Sequence, residues 1–183
     1  TTGIWKTVWT EYVPKIRLDH VKMTPNLHDM ALEIEYQIDA PESAMAGGNL
    51  MVVATVTFGD MLISKTMTVM TSDHTKTKID VFHKTNGQAN CGMEWGVRTW
   101  SPESPDLYDI TFEVVSDGKI LDTVGSYFAM REIRIDGSNI LLNGHPLYQR
   151  LILDQGYWKD SHLTPPSEEA LIEDIDKIHA LGY

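Results

Sequence analysis

Residues 29–39 read DMALEIEYQID, and this stretch decides the fold class. Apolar and polar side chains alternate along it, with Met30, Leu32, Ile34, Tyr36 and Ile38 on one parity and Glu33, Glu35 and Gln37 on the other. Successive side chains of a β-strand point to opposite faces, so the alternation predicts a strand with one face in the core and one in water. Strands of this kind are typical of antiparallel sheets.

The sequence on both sides repeats the pattern in short segments separated by turn residues. Further strands are predicted for 15–23, 49–58, 61–70, 77–84, 108–115 and 120–130. Gly59-Asp60 and Asp117-Gly118 separate two pairs of these segments, and glycine supplies the positive φ that tight hairpins need. Seven or so short strands at regular spacing predict a mainly β fold, an immunoglobulin-like antiparallel β-sandwich.

The two ends of the chain carry a different pattern. Residues 1–13, TTGIWKTVWTEYV, have apolar side chains on both parities, and 147–153 form a nearly continuous apolar run. Both runs predict strands covered on both faces. Residues 164–183 predict an amphipathic helix that Ser167 caps and Gly182 ends. Strand, loop and helix in this order form the first unit of a β/α architecture.

The amino-acid composition of the chain disfavours several classes of function. Asp and Glu outnumber Lys and Arg by 26 to 15, and the resulting net charge of −11 disfavours nucleic-acid binding. The seven histidines and single Cys91 lack metal-ligand spacing, so neither a metal nor another cofactor is expected. No segment approaches the roughly 20 apolar residues of a membrane span. Cysteine scarcity slightly favours the cytoplasm but leaves the compartment open.

Three segments resemble glycoside hydrolase family 2, the group of β-galactosidases, β-glucuronidases and β-mannosidases. They are TTGIWKTVW at 1–9, WSPESPDLY at 100–108 and LLNGHPLYQRLILDQGYW at 141–158. The resemblance implies that residues 1–13 are the last strand of a jelly-roll sugar-binding domain. It likewise implies that 14–136 are the sandwich and that 137–183 are the first β/α unit of a TIM-barrel catalytic domain.

The resemblance also places a site. LDQGYWKDSHLTPPS, residues 153–167, resembles the first loop on the face of the barrel where active sites are built. The candidate substrate-binding residues are Arg150, Asp154, Gln155, Tyr157 and Trp158. For the aromatic pair, packing within the loop is the alternative interpretation, and for Asp154 it is a turn cap or an ion pair with Arg150. Leu151 follows Arg150 where the family has glycine, so the identity of the sugar stays open.

Members of the family are retaining enzymes that use two glutamates about 5 Å apart. No segment here matches the motifs of those glutamates, so we expect no catalytic residue in this chain. Glu168, Glu169 and Glu173 are interpreted as solvated charges of the predicted helix. The tryptophans Trp5, Trp9, Trp95 and Trp100 are interpreted as core or interdomain packing residues rather than as a carbohydrate platform.

We therefore expect an inactive internal fragment of a retaining hydrolase of β-linked sugars, in which the sandwich orients the flanking domains. A carbohydrate is the expected partner of the full-length protein. Residues 137–183 are expected to fold back on the sandwich, to be mobile or to self-associate into a homo-oligomer. The alternative is a free-standing immunoglobulin-like module that binds carbohydrate or protein, and the unfinished β/α unit argues against it.

Overall fold

A computed structural model describes residues 3–4, 7–82 and 96–183. The chain divides into two compact units. One is Tyr12–Pro146, and the other combines Thr1–Glu11 with Leu147–Tyr183. Cys91, Trp5 and Trp95 lie outside the described residues.

Within the described part of Tyr12–Pro146, seven strands form two antiparallel sheets. The strands are β1 Arg17–Asn26, β2 Ala31–Asp39, β3 Leu50–Phe58, β4 Met61–Val69, β5 His74–Asp80, β6 Tyr108–Ser116 and β7 Lys119–Phe128. One sheet has the order β1-β2-β5 and the other has the order β4-β3-β6-β7. This is the arrangement of an immunoglobulin-like sandwich, in which β4 extends the sheet of the third, sixth and seventh strands. The predicted fold is confirmed.

The core lies between the inner faces of the two sheets. The alternate apolar residues of β2 are buried, as predicted, and they meet inward side chains of β3 and β6 such as Val52 and Phe112. Tyr36 packs edge to face on Phe112, with 5.8 Å between the ring centroids. Burial of apolar surface of this kind is the main stabilising contribution to a sandwich.

Tyr108 joins the start of β6 to the segment before it. Its hydroxyl accepts a hydrogen bond of 2.7 Å from the backbone N–H of Arg98. Its ring stacks on that of Phe128, with the centroids 5.2 Å apart. A tyrosine near the start of the sixth strand that bonds back to upstream backbone is a hallmark of the immunoglobulin fold.

The predicted turn at Asp117-Gly118 forms with the expected backbone geometry, and a turn of the same kind forms at Asn143-Gly144. Asp117 and Gly118, between β6 and β7, have φ of 50° and 74°. Asn143 and Gly144 have φ of 51° and 84°. Left-handed conformation at both central residues gives a turn whose twist matches that of the strands, and Asn, Asp and Gly tolerate it best.

The structure also contains elements that the sequence pattern did not indicate. Helix α1, Glu42–Ala46, is a short turn of helix between β2 and β3. A small sheet contains β8 Ile133–Asp136, β9 Asn139–Leu142 and β10 His145–Pro146 in the order β10-β9-β8. The β8–β9 turn spans the predicted boundary between residues 136 and 137, and the domain limits themselves stay predictions.

Two predicted strands are wrong for the residues described. Residues 7–13 and 147–153 have no regular secondary structure and expose most of their large apolar side chains, including Trp9, Tyr12, Leu151 and Leu153. A strand needs a neighbour to accept and donate its backbone hydrogen bonds, and no described strand pairs with either segment. The predicted helix is confirmed as α2, Glu168–Ala180. No helix among the described residues has the length and hydropathy needed to cross a membrane.

Candidate functional site

The loop that precedes α2 contains four of the five predicted sugar-contacting residues. Two backbone hydrogen bonds between Trp158 and His162 close a turn in this loop. The N–H of Trp158 donates to the carbonyl of His162 at 2.8 Å, and the N–H of His162 donates to the carbonyl of Trp158 at 3.1 Å. His162 has a φ of 62°, which lets the chain reverse between these bonds. The Trp158 side chain is half-buried.

Asp154 caps a turn in the same loop. Its Oδ1 accepts a hydrogen bond of 2.7 Å from the N–H of Gly156, whose φ is 67°. Asp side chains commonly bond the backbone two residues further on in this way. No ion pair between Asp154 and Arg150 is present in the described structure. The turn-cap alternative therefore accounts for one of the two Asp154 oxygens.

The remaining candidates are exposed to solvent. Gln155 and Tyr157 are exposed, with 72% of Tyr157 accessible. Arg150 is exposed as well, and its Nη1 lies 3.9 Å from the position that a Cβ would take on Gly182. The loop thus presents Tyr157 and Gln155 to solvent, and sugar contact by the five candidate residues stays a prediction.

Helix α2 accounts for the glutamates near the loop. The Oγ of Ser167 accepts a hydrogen bond of 3.2 Å from the N–H of Ala170, so the predicted N-cap is confirmed. Hydrogen bonds from its own backbone N–H and from the Ser167 hydroxyl hold the pKa of Glu169 below its usual value. Glu173 forms an ion pair of 2.9 Å with Lys177 one turn later. These are exposed helix charges, as interpreted from the sequence.

The sandwich carries a groove that the sequence pattern did not indicate. Its volume is about 440 Å³, and it is lined by Met23, Pro25, Trp100, Leu107, Tyr127, Phe128, Ala129 and Arg131. The Arg131 guanidinium lies over the Trp100 ring, 4.9 Å from its centroid. These residues come from three separate segments of the chain. Identifying the groove from sequence would therefore have required knowing which distant residues are neighbours in the folded structure.

Asn143 fixes one wall of this groove. In the described part of the chain it is the buried polar side chain, and its Nδ2 donates to the carbonyl of Trp100 at 3.0 Å. Its Oδ1 accepts from the N–H of Glu132 at 3.0 Å, and the N–H of Trp100 donates to Met130 at 2.9 Å. Trp100 is thus half-buried and held by its backbone, whereas Trp9 is 70% exposed and is not a core residue.

Among the described residues, no cluster of three or more His, Cys, Asp or Glu side chains could hold a metal ion. Each carboxyl group there with a shifted pKa is shifted downward. The pKa values of Asp29 and Asp73 are lowered by hydrogen bonds from Lys78 and His74, and that of Glu35 is lowered to about 2 by Lys22 and Lys76. A general acid at neutral pH needs the opposite shift.

The sequence profile of glycosyl hydrolases family 2 matches residues 16–131, which is more than half of the chain. A β-galactosidase of Klebsiella pneumoniae strain 342 is 26% identical over 159 residues, and the match covers 81% of this chain and 14% of that protein. The β-galactosidase BgaC of Bifidobacterium adolescentis is 39% identical over 56 residues, 30% of this chain and 5% of its own length.

Solved structures show the same fold. β-Glucuronidase 3 of Bacteroides uniformis superposes with a TM-score of 0.67 at 15% identity, covering 94% of this chain and 20% of that one. The β-glucuronidase of Ruminococcus gnavus gives a TM-score of 0.62 at 15% identity, covering 91% and 24%. The chain thus spans less than a quarter of the length of each of these relatives.

Proposed function

Because this chain belongs to glycosyl hydrolases family 2, a family that acts on β-linked sugars, we propose that it is the immunoglobulin-like part of a longer retaining glycosidase. The observation that carries this proposal is that the family profile, residues 16–131, spans all seven strands of the sandwich, while the β-galactosidase relatives are far longer than the chain. The activity proposed for the whole protein is hydrolysis of β-galactosides or related β-glycosides.

The proposed role of the sandwich is to hold its flanking segments in place and not to perform the chemistry. The lowered pKa values of Asp29, Glu35 and Asp73 support this role, because these carboxyl groups of the sandwich stay ionised at neutral pH and do not donate a proton to a leaving group. The buried core and the Tyr108 hydrogen bond support it too, since a spacer has to be rigid. Both catalytic glutamates are proposed to lie outside these 183 residues.

Substrate contact is proposed for the loop before α2. Arg150, Gln155, Tyr157 and Trp158 would contact sugar hydroxyls and ring faces, and the second oxygen of Asp154 would accept from a hydroxyl. The exposure of Arg150, Gln155 and Tyr157 supports the proposal, because these side chains are accessible to a ligand. The proposed segments are 1–13 from a jelly roll, 14–136 as the sandwich and 137–183 from a barrel.

The test is hydrolysis of a panel of chromogenic β-glycosides that begins with a β-galactoside. The panel is run on this chain and on a longer protein expressed from the same gene through the following few hundred codons. We expect release of chromophore by the longer protein only, and the best substrate identifies the sugar. Turnover by the 183-residue chain, or failure of the folded longer protein on every glycoside, would overturn the proposal.

A further inference from the structure

The Trp100 groove combines a cation with aromatic side chains. Arg131 is exposed, and its guanidinium carbon lies over the Trp100 ring, 4.9 Å from the ring centroid. A cation–π contact involves the charge of the guanidinium and does not require its N–H donors. No described carboxylate lies within ion-pair distance of Arg131. The five donors of the planar group can therefore bind a ligand.

The rest of the groove provides an apolar surface next to these donors. Tyr127 projects from β7 and is 64% exposed, and Leu107 is 44% exposed. The buried Phe128 belongs to the same lining. A volume of about 440 Å³ is within the range of small-molecule sites, in which apolar walls carry a few placed polar groups.

The groove is also pre-organised. The Asn143 side chain and the Met130 carbonyl hold the backbone of Trp100 from two sides. Tyr127 lies in a paired strand, opposite Asp109 of β6. Binding to such a surface requires little ordering of the protein, because the wall is already fixed before a ligand arrives.

From these features we propose that the Trp100 groove binds a saccharide that carries a carboxylate group. The aromatic and apolar side chains would contact the C–H face of the pyranose ring. Arg131, the charged residue of the lining, would form paired hydrogen bonds to the carboxylate. This site shares no residue with the loop at 150–158, and it belongs to the sandwich itself.

The inference goes beyond the proposed function, because it requires neither a catalytic domain nor turnover. A sugar bound here would remain attached to the sandwich, which is the behaviour of a carbohydrate-binding surface within a hydrolase. If the glycoside panel fails, binding by the groove is still measurable on this chain. If no sugar binds in the groove, the result of the glycoside panel is unaffected.

The test is an NMR titration of the isotope-labelled 183-residue chain with methyl β-glucuronide and, separately, with methyl β-glucoside. The two probes differ in the carboxylate. We expect saturable shifts at Trp100, Tyr127 and Arg131 with a Kd on the order of 1 mM for the glucuronide. The neutral glucoside should bind about tenfold more weakly, since a charge-assisted pair is worth at least about 1.4 kcal/mol.

Variants assign the contacts. Arg131→Gln should remove the preference for the glucuronide over the glucoside. Tyr127→Thr should lower the affinity for both probes, because it deletes an exposed ring while keeping a residue that favours strands. Arg134→Gln is the matched control, since Arg134 is an exposed arginine of β8 outside the groove. The proposal would be overturned if no saturable shifts appear or if the two probes bind with equal affinity. It would also be overturned if Arg134→Gln loses as much of the preference for the glucuronide as Arg131→Gln does.

Discussion

The hydroxyl of the buried Tyr108 side chain accepts a part-buried hydrogen bond from the backbone N–H of Arg98, ten residues earlier. Burial raises the pKa of this hydroxyl, so it stays protonated at any ordinary pH. Removing the hydroxyl would leave the Arg98 N–H without this acceptor, and an unsatisfied buried donor costs about 1–3 kcal/mol. The Tyr108 hydroxyl is therefore one of the contacts that hold the chain between Arg98 and β6, together with the hydrogen bonds of Trp100 to Asn143 and Met130.

We predict that Tyr108→Phe lowers the free energy of unfolding by about 1–3 kcal/mol, measured by urea denaturation. The ring and its stacking on Phe128 remain in this variant, so the change reports the loss of the hydroxyl. Tyr127→Phe is the control, because Tyr127 is an exposed tyrosine and should change stability by less than about 0.5 kcal/mol. Equal effects of the two substitutions would contradict this account of Tyr108.

Glu35 is the second residue whose behaviour the structure defines. Its Oε1 lies 2.7 Å from the Nζ of Lys22 and its Oε2 lies 2.9 Å from the Nζ of Lys76, on the outer face of the β1-β2-β5 sheet. Hydrogen bonds from the two lysines hold the pKa of Glu35 at about 2, against an ordinary value of 4.5. A carboxyl group whose pKa is lower in the folded state stabilises that state above pH 4.5 and ceases to do so as the pH falls to 2.

We predict that the free energy of unfolding falls between pH 4.5 and 2, and that Glu35→Gln makes this fall shallower. The double variant Lys22→Met with Lys76→Met should act in the same direction, because Glu35 then regains its ordinary pKa. Urea denaturation at several pH values measures both slopes. The side chains are exposed, so salt should weaken the effect. If neither variant changes the slope of the unfolding free energy against pH, the pH dependence does not come from Glu35.

At the scale of elements, α2 depends on its first turn. Ser167 supplies an acceptor to the N–H of Ala170, and Glu168 and Glu169 place negative charge at the positive end of the helix dipole. In the described structure no residue of the helix is fully buried. Its stability therefore rests more on capping and charge than on packing.

We predict that Ser167→Ala destabilises the first turn of α2 by about 1 kcal/mol. Hydrogen exchange of the backbone amides between residues 168 and 173 should then become faster. Ser167→Asp keeps a capping acceptor and should leave the exchange rates close to those of the unchanged protein. Equal protection in Ser167→Ala and the parent chain would show that the cap contributes nothing.

The same scale shows what the sequence could predict. Strands β2, β3, β4, β6 and β7 were predictable because alternation fixes which face of a strand is buried, and Gly118 marks a turn. Alternation carries no information on neighbours, so the apolar runs at 7–13 and 147–153 were assigned as strands that lack a pairing partner in the described structure. The Trp100 groove was missed because its residues meet only in the folded chain.

At the scale of the whole molecule, the main feature to explain is that many apolar side chains on and near α2 are exposed to solvent. Leu171, Ile172, Ile175 and Leu181 are all exposed, together with Leu151 and Leu153 before the loop. Exposed apolar clusters of this kind mark surfaces that associate with another partner. We propose a homo-oligomer formed through this surface by the isolated chain.

We predict that the 183-residue chain self-associates in a concentration-dependent way and that Leu171→Lys with Ile175→Lys reduces the association. Light scattering after size exclusion measures the mass at several concentrations. Ala180→Lys is the control, since it adds a cation on the opposite side of the same helix. A monomer at every concentration, or equal loss of association in Ala180→Lys, would contradict the prediction.

We propose that this chain is part of a retaining glycosidase whose catalytic carboxylates lie outside it. The most direct test uses an activated fluorinated β-glycoside that traps the covalent glycosyl-enzyme intermediate on the nucleophile. The longer protein is labelled with it and digested, and the modified glutamate is located by mass spectrometry. We predict a single label outside the 183 residues and none on the isolated chain. A label on any glutamate of this chain would contradict the claim.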